Sequence, residues 1–176
     1  TRVRSSAASD VYKEDLQFGN VSRVPINDSV TIQGNAQLTI LDDLMLNDTE
    51  GNVDSDNVVN LNGGILSVGY FTYAGGGGAG TTQTGALAFN GGTLEPRGND
   101  PTGSAFIPNT PGILTTVGTG GAIINTVGYN VTIQTGLTHT GSGTDGGLTK
   151  LGSGTLYLTG SGTYNGGTTI NGGTLN

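Results

Sequence analysis

Several residue types are scarce in this 176-residue chain, and each scarcity excludes a class of function. There is no cysteine, which excludes a disulfide framework and a thiolate metal site. Only 6 residues are lysine or arginine and the net charge is −7, which makes the chain a poor partner for nucleic-acid phosphates. No apolar run approaches the ~18 residues of a membrane helix. The sequence therefore predicts no nucleic-acid partner and no membrane span in this chain.

Glycine, by contrast, is abundant, with 34 of the 176 residues, against a usual share of ~7%. Charged residues make up only 11% of the chain, whereas disordered chains are usually rich in charge. Threonine, asparagine and alternating leucine, isoleucine and valine supply most of the rest. This mixture is typical of a narrow core wrapped by many corners, which is the shape of a β-solenoid.

The stretch 146–176 shows the repeating unit most clearly. Its short runs at 148–151, 155–159 and 168–171 place apolar residues at every second position, which puts them on one face of a strand. Glycine pairs or Gly-Ser-Gly separate the runs and supply the conformations that tight turns need. The pattern predicts strands joined by corners, with little or no helix.

The same unit recurs along the chain with a regular spacing. Glycine pairs lie near positions 63, 91, 120 and 146, in steps of about 28 residues, which is typical of a stacked repeat. With roughly 20–28 residues per rung, we expect about six to eight rungs. We also expect Asn62, Asn90 and Asn171 to stack as one amide ladder. The predicted corner residues are Asn62, Gly63, Gly64, Asn90, Gly91, Gly92, Gly120, Gly121, Asn171, Gly172 and Gly173.

Charge divides the chain unevenly, since 14 of its 19 charged residues precede residue 57. We therefore expect an N-terminal arm or leader at 1–15, divergent acidic capping rungs at 16–57 and solenoid repeats at 58–176. Two loops should bulge from one edge of the stack. They lie at 74–84, with four consecutive glycines, and at 96–111, with four prolines.

Oxygen ligands alternate in the acidic loop 47–57, at Asp48, Glu50, Asp54 and Asp56. Such a spacing suits Ca²⁺, although the loop lacks the order of an EF-hand, and a solvated acidic turn is the alternative. The prediction is that the chain has no cofactor, with calcium at this loop as the alternative.

A second acidic pair, Asp42-Asp43, is predicted to form a corner. If it stacked near Asp54 and Asp56, the carboxylates would resemble those of polysaccharide-cleaving β-helices. The only histidine, His139, stands between two threonines and is predicted to be an outward-facing or ladder residue.

Aromatic residues cluster at Tyr70, Phe71 and Tyr73. We interpret them as a core residue with its flanking neighbours. The alternative is a patch that stacks on sugars or contacts another subunit.

The stretch Gly-Gly-Leu-Thr-Lys-Leu-Gly-Ser-Gly-Thr-Leu-Tyr-Leu-Thr-Gly at 146–160, followed by 163–175, closely resembles the autotransporter-associated β-strand repeat. Residues 58–138 resemble the sequence that often precedes this repeat, and residues 1–57 match it weakly or not at all. The resemblance implies a right-handed parallel β-helix outside a bacterial cell, secreted or on its surface. It implies no single activity, because such passengers include adhesins, proteases and stalks, and it brings no catalytic residues.

The repeat breaks off within a unit at Asn176, while the first third of the chain differs from the rest. We therefore expect a non-enzymatic structural protein that assembles head to tail through its open ends. The alternatives are an adhesin whose loops 74–84 and 96–111 bind surface glycans, and a carbohydrate-active β-helix enzyme. The predicted assembly interface comprises Arg2, Val3, Arg4, Val11, Tyr12, Thr174, Leu175 and Asn176.

Overall fold

A computed structural model describes the chain at residues 9–11, 16–18, 22–23, 29–46, 55–72 and 83–176. Within these ranges all helix-or-strand structure is β-strand. This described part of the chain therefore contains no helix with the length and apolarity that crossing a membrane requires. The predicted fold class, an all-β parallel solenoid, is confirmed. The handedness of the coil stays a prediction.

Seventeen short strands make up the regular structure of the described ranges. They are β1 (Ser9–Val11), β2 (Leu16–Phe18), β3 (Ser22–Arg23), β4 (Ser29–Ile32), β5 (Gln37–Met45), β6 (Ser55–Leu61), β7 (Ile65–Thr72), β8 (Gln83–Phe89), β9 (Thr93–Pro96), β10 (Ile113–Val117), β11 (Ala122–Asn125), β12 (Val131–Ile133), β13 (Leu137–His139), β14 (Leu148–Leu151), β15 (Thr155–Leu158), β16 (Thr168–Ile170) and β17 (Thr174–Leu175).

The strands form three sheets, in which the pairings are parallel. The first sheet has the order β1-β4-β6-β8-β10-β13. The second has the order β2-β5-β7-β9-β11-β14-β16, and β3 also pairs with β5. The third sheet has the order β12-β15-β17. Because neighbours within a sheet lie one turn apart in the sequence, the chain coils as a solenoid.

The paired residues give the length of each turn. In the middle of the stack, Gln37 lies opposite Ile65 and Ile65 lies opposite Thr93, so each turn takes about 28 residues. At the C-terminal end, Leu148 lies opposite Thr168, a step of about 20 residues. The period predicted from the glycine pairs is therefore present in the middle of the solenoid, and the last turn is shorter.

Alternating side chains fill the interior. In β7, Leu66 and Val68 are fully buried, while Ser67 between them faces outward and is partly exposed. Burying one such aliphatic side chain contributes about 1.5–3 kcal/mol, so the stacked inward rows supply most of the stabilisation. The largest fully buried apolar residues are Phe71, Phe89, Phe106, Ile32, Ile40, Leu46, Leu61, Leu66, Leu87, Leu94 and Ile107.

The solenoid makes about four full turns. These are β4–β5, β6–β7, β8–β9 and β10–β11, which have at least four residues in each strand of the two larger sheets. Shorter strands extend the sheets at both ends. The expected six to eight rungs was slightly too high. The reason is that the strands before β4 and after β11 have only two to four residues, so they extend the sheets without completing turns of the same size.

The aspartate pair predicted to form a corner lies inside β5, so that prediction is wrong. Ile40 is opposite Val68 and Asp43 is opposite Tyr70, which leaves one extra residue in β5 at a register shift. Such a bulge bends the strand without ending it. The Asp43 carboxylate is buried and accepts a hydrogen bond from the Thr72 hydroxyl at 2.7 Å, which compensates its burial.

The predicted loop at 96–111 covers most of the connection between β9 and β10, but its centre folds back onto the stack. Phe106 and Ile107 are buried, and Ile107 forms a parallel bridge with Ile133 of the third sheet. The Phe106 ring meets Phe71 edge to face, with centroids 5.6 Å apart. The expectation that the whole loop bulges is therefore wrong for its centre, because two large apolar side chains there gain by burial.

The remaining domain predictions fall partly outside the described ranges. These ranges omit residues 73–82, which contain most of the predicted loop 74–84, and most of the predicted arm 1–15. Within the arm, β1 pairs with β4 in the first sheet. The segment 16–57 contributes β2 to β5 and the start of β6 to the same stack, and its role as a cap stays a prediction.

Candidate functional site

The C-terminal end of the solenoid presents two outermost strands. Among the described residues, β16 pairs with β14 alone and β17 pairs with β15 alone, so each has an open edge. All three residues of β16 are exposed, and Ile170 keeps 51% of its surface accessible. An open edge presents unpaired N–H and C=O groups, which can pair with a further strand.

An open cavity of about 420 Å³ lies beside this end, between β13, β15 and the segment that precedes β16. Leu137, Leu158 and Tyr164 give the cavity its apolar lining. Leu158 and Tyr164 pack on the core but stay half-buried. An apolar side chain placed in this cavity would cover surface that the chain itself leaves partly in water.

Three of the predicted interface residues stack on the preceding turn. The N–H of Thr174 donates to the Gly154 carbonyl at 3.2 Å, and the N–H of Asn176 donates to the Leu156 carbonyl at 2.9 Å. Leu175 is half-buried against the core. These contacts fasten β17 to the solenoid on one side and leave its outer edge open.

The predicted interface residues at the other end are mostly outside the described part of the chain. Val11 lies in β1, where its backbone is opposite that of Ile32. The residues outside the described ranges are Arg2, Val3, Arg4 and Tyr12. The pairing of the two ends stays a prediction.

The predicted Asn-Gly-Gly corners occupy two different edges of the stack. Asn62-Gly63-Gly64 and Asn90-Gly91-Gly92 join the first sheet to the second, as do Gly120 and Gly121. Asn171-Gly172-Gly173 joins β16 to β17, and therefore the second sheet to the third. The predicted single ladder of Asn62, Asn90 and Asn171 is wrong, because the same tripeptide serves both corners.

Asparagine side chains link successive turns through the backbone. The Asn90 Oδ1 accepts a hydrogen bond from the N–H of Gly120 at 2.8 Å. At the other edge, the Asn130 Oδ1 accepts one from the N–H of Thr155 at 2.9 Å. Each bond satisfies a donor that a tight corner leaves without a strand partner.

Glycine is required at both kinds of corner. Gly64 has a φ of +62° and Gly173 a φ of +64°, which glycine adopts readily and other residues avoid. A Cβ on Gly64 would overlap the carbonyl of Ala36, and one on Gly173 would overlap the carbonyl of Gly154. The glycines therefore permit both the turn and the close stacking of adjacent turns.

A buried carboxylate joins the last two turns at the corner between the first and second sheets. Asp145 accepts hydrogen bonds from the N–H groups of Gly147, Asn165 and Gly166 at 2.8–2.9 Å. Burial by itself raises the pKa of Asp145, but these backbone bonds and one from His139 outweigh it and lower the pKa to about 2. The carboxylate is therefore ionised at neutral pH and holds residues 165 and 166 against the corner.

His139 faces this carboxylate rather than solvent, so the prediction of an outward-facing residue is wrong. Its Nδ1 lies 2.9 Å from the Asp145 Oδ2, and its Nε2 lies 3.0 Å from the Gly141 carbonyl oxygen. Its side chain keeps 21% of its surface exposed. A catalytic triad needs the second ring nitrogen for a nucleophile. Here a backbone carbonyl occupies that position.

A buried lysine joins three turns at the corner between the second and third sheets. Lys150 is fully buried, and its Nζ donates to the Thr126 hydroxyl at 2.8 Å. It also donates to the carbonyls of Leu151, Gly152 and Gly172 at 2.8, 2.9 and 3.1 Å. Burial lowers the pKa of Lys150. The ammonium group thus compensates acceptors from successive turns that strand pairing leaves unsatisfied.

The buried Asp145 and Lys150, each with its hydrogen bonds between turns, are called the Asp145 clamp and the Lys150 clamp. One signal in the sequence could have revealed them. Asp145 and Lys150 are the only Asp, Glu, Lys or Arg residues after residue 100. Lys150 also stands two residues from Leu148, on the inward face of a predicted strand. A lone charge at an inward position indicates a buried charge that must be compensated.

Most of the predicted calcium ligands lie outside the residues that the structure describes. Asp48, Glu50 and Asp54 lie outside the described ranges, and Asp56 lies in β6 with its backbone opposite Thr84. Among the residues that the structure describes, no group of three or more His, Cys, Asp or Glu residues is arranged to hold a metal ion. Calcium at the loop 47–57 stays a prediction, as does a carboxylate pair with Asp42 and Asp43.

The aromatic cluster divides between interior and surface. Phe71 is buried, whereas Tyr70 packs on the core and stays partly exposed. Burial raises the pKa of Tyr70, and the negative charges of Asp43 and Asp42 raise it further. Tyr73 lies outside the described ranges. The interpretation of a core residue with a flanking neighbour fits the two residues that are described.

Comparison with protein-family models matches residues 148–176 to the passenger-associated-transport-repeat. Neither the curated proteins nor the solved structures gave a match. The matched stretch contains β14 to β17, the Lys150 clamp and the open edge. The resemblance to an autotransporter passenger repeat is thereby confirmed, and residues 148–176 carry a passenger-associated transport repeat in β-solenoid form.

Proposed function

We propose that this chain is a non-catalytic structural segment of a passenger-type protein, secreted or held at a bacterial cell surface. The passenger-associated repeat and the solenoid fold support this proposal. Within the described residues, two ionised side chains, the Asp145 carboxylate and the Lys150 ammonium, face inward and fasten turns to one another. Both groups are buried and their hydrogen bonds join neighbouring turns, so we assign them a structural role.

The solenoid assembles head to tail through its two ends. The open edges of β16 and β17, together with exposed Ile170, are the observation that carries this proposal. At the opposite end, β1 and β2 are outermost in the first and second sheets. A second copy placed there continues the second sheet by parallel pairing of its β2 with β16, and the predicted arm 1–15 contacts the neighbouring copy.

Binding of surface glycans by an adhesin stays a prediction. The adhesin hypothesis places the contacts with glycans in the loops at 74–84 and 96–111. In the second loop, Phe106 and Ile107 are buried in the core. That burial reduces the surface this loop offers to a ligand, so the assembly hypothesis is the better supported of the two.

Assembly is tested with two matched substitutions, Ile170→Gln and Leu114→Gln. Both residues are 51% exposed, but Ile170 lies on the outermost strand and Leu114 on β10 within the stack. Ile170 is already half-buried, so burial of its remaining surface in a contact contributes about 0.8–1.5 kcal/mol, and Ile170→Gln should weaken association about 4- to 12-fold. Leu114→Gln should leave it unchanged.

The measurement is sedimentation velocity across a concentration series, with electron microscopy of the assembled sample. Thermal melts of both variants show that each is folded. A wild-type protein that stays monomeric at high micromolar concentration would exclude head-to-tail assembly. Equal effects of the two substitutions would exclude the C-terminal end as the interface.

A further inference from the structure

Both ring nitrogens of His139 face groups that can only accept hydrogen bonds. The Nδ1 faces the ionised Asp145 carboxylate at 2.9 Å, and the Nε2 faces the Gly141 carbonyl at 3.0 Å. A neutral imidazole carries one N–H and would turn its lone pair toward one of these oxygens. Only the protonated ring, with N–H on both nitrogens, satisfies both contacts.

The group that His139 holds is itself attached to the last turn. Asp145 accepts hydrogen bonds from the N–H groups of Asn165 and Gly166, which precede β16. The Asp145 N–H in turn donates to the Asn165 Oδ1 at 2.8 Å. Whatever position Asp145 adopts is therefore transmitted to residues 165 and 166 and to the strand after them.

We propose that His139 is a proton-dependent latch that fastens the corner 140–147, and through Asp145 the last turn, when its ring is doubly protonated. Loss of one proton leaves a single N–H for the two acceptors, and it removes the positive charge that strengthens the hydrogen bond to the carboxylate. Histidine changes charge between pH 5 and 8, so the latch is closed at the acidic end of this range and looser at the alkaline end. The latch acts within one molecule and does not depend on assembly.

The surroundings of His139 contain few other groups that titrate. The adjacent strand β10 has none, and the corner 140–147 has Asp145 alone. In the segment that precedes β16, the Tyr164 hydroxyl is bonded to the Thr168 hydroxyl at 2.9 Å. On β14, the Lys150 ammonium is bonded at the other corner, to residues such as Gly172. A change between pH 5 and 8 in this region therefore reports on His139.

Hydrogen exchange measured by NMR at pH 5 to 8 tests the latch, because the chain has one histidine and its ring signals are unambiguous. After correction for intrinsic exchange rates, protection of the Asn165 and Gly166 amides should fall about fivefold as the pH rises, the effect of one lost hydrogen bond. The midpoint should coincide with that of the His139 ring. The Asn62 amide, which is bonded to the Ile32 carbonyl and follows β6, three turns from the strand of His139, should not change.

Two substitutions at His139 separate the latch from a merely structural contact. His139→Gln cannot change charge, so protection of the Asn165 and Gly166 amides should become independent of pH between 5 and 8. His139→Arg keeps several permanent donors, so protection should stay at its acidic level throughout. Wild-type protection that stays flat from pH 5 to 8 would overturn the proposal. An unchanged pH dependence in His139→Gln would overturn it as well.

Discussion

The middle turns, formed by β6 to β9, and the last turns, formed by β13 to β17, use the same unit of strand and corner but are stabilised differently. The middle turns advance about 28 residues at a time and have strands of four to eight residues. The last turns advance about 20 residues and have strands of two to four. Short strands bury fewer side chains, so the last turns depend more on hydrogen bonds to Asp145 and Lys150.

The interior changes character between the two regions. In the middle, Phe71 and Phe89 are buried, and Phe106 joins them from the connection before β10. In the last turns, the inward position next to Leu148 is occupied by Lys150, and all of β16 is exposed. In this region the hydrogen bonds of Asp145 and Lys150 between neighbouring turns take the place of part of the apolar packing seen in the middle.

Replacement of Phe71 by alanine should cause the largest loss in the free energy of unfolding. That result would identify the middle turns as the most stable part of the solenoid. Truncation of a buried phenylalanine costs about 3–5 kcal/mol in the free energy of unfolding, and Phe71 also loses its edge-to-face contact with Phe106. Urea unfolding followed by circular dichroism measures the loss. Leu114→Ala, at an exposed position, is the control and should change stability by less than about 0.5 kcal/mol. Similar losses for both would contradict the assignment.

Replacement of Lys150 by methionine should have a smaller effect, confined to the last turns. The buried acceptors at Thr126 and Gly172 would lose their donor, which costs about 1–3 kcal/mol. Hydrogen exchange should show lower protection in β16 and β17. Ile124→Met, at the position paired with Lys150, is the matched control and should cost less than about 1.5 kcal/mol. A gain in stability would instead show that desolvation of the ammonium group outweighs its hydrogen bonds.

The smallest effect is the loss of stability in acid that protonation of Asp145 causes. Its folded pKa of about 2 lies below the ordinary value of 3.8, so the unfolded chain binds the proton more readily. The stabilisation is complete above pH 4 or so and is lost as the pH falls toward 2. Thermal melts at closely spaced pH values measure the slope. Asp145→Asn should lower the melting temperature at neutral pH and reduce the slope, and an unchanged slope would show that other carboxylates cause the acid loss.

Much of the fold was predictable because its signals are local. Alternation in runs such as 155–159, with leucine at 156 and 158, identifies the inward face of a strand, and glycine pairs identify the corners. The candidate site was predictable only in part. Thr174 and Leu175 form β17 beside β15 and their part in assembly stays a prediction, whereas the burial of Asp145 and Lys150 depends on which turns stack above and below them.

The sequence by itself determined that this chain forms strands and corners, that the turns in its middle repeat with a period of about 28 residues, and that its end carries a passenger-type repeat. Tertiary structure alone decided which edge of the stack each Asn-Gly-Gly occupies, that the segment around Phe106 packs in the core, and that His139 faces Asp145. The physical reason is that strand formation depends on neighbouring residues. Stacking, by contrast, depends on the summed length of every intervening loop, and a change of a few residues moves a side chain to another corner.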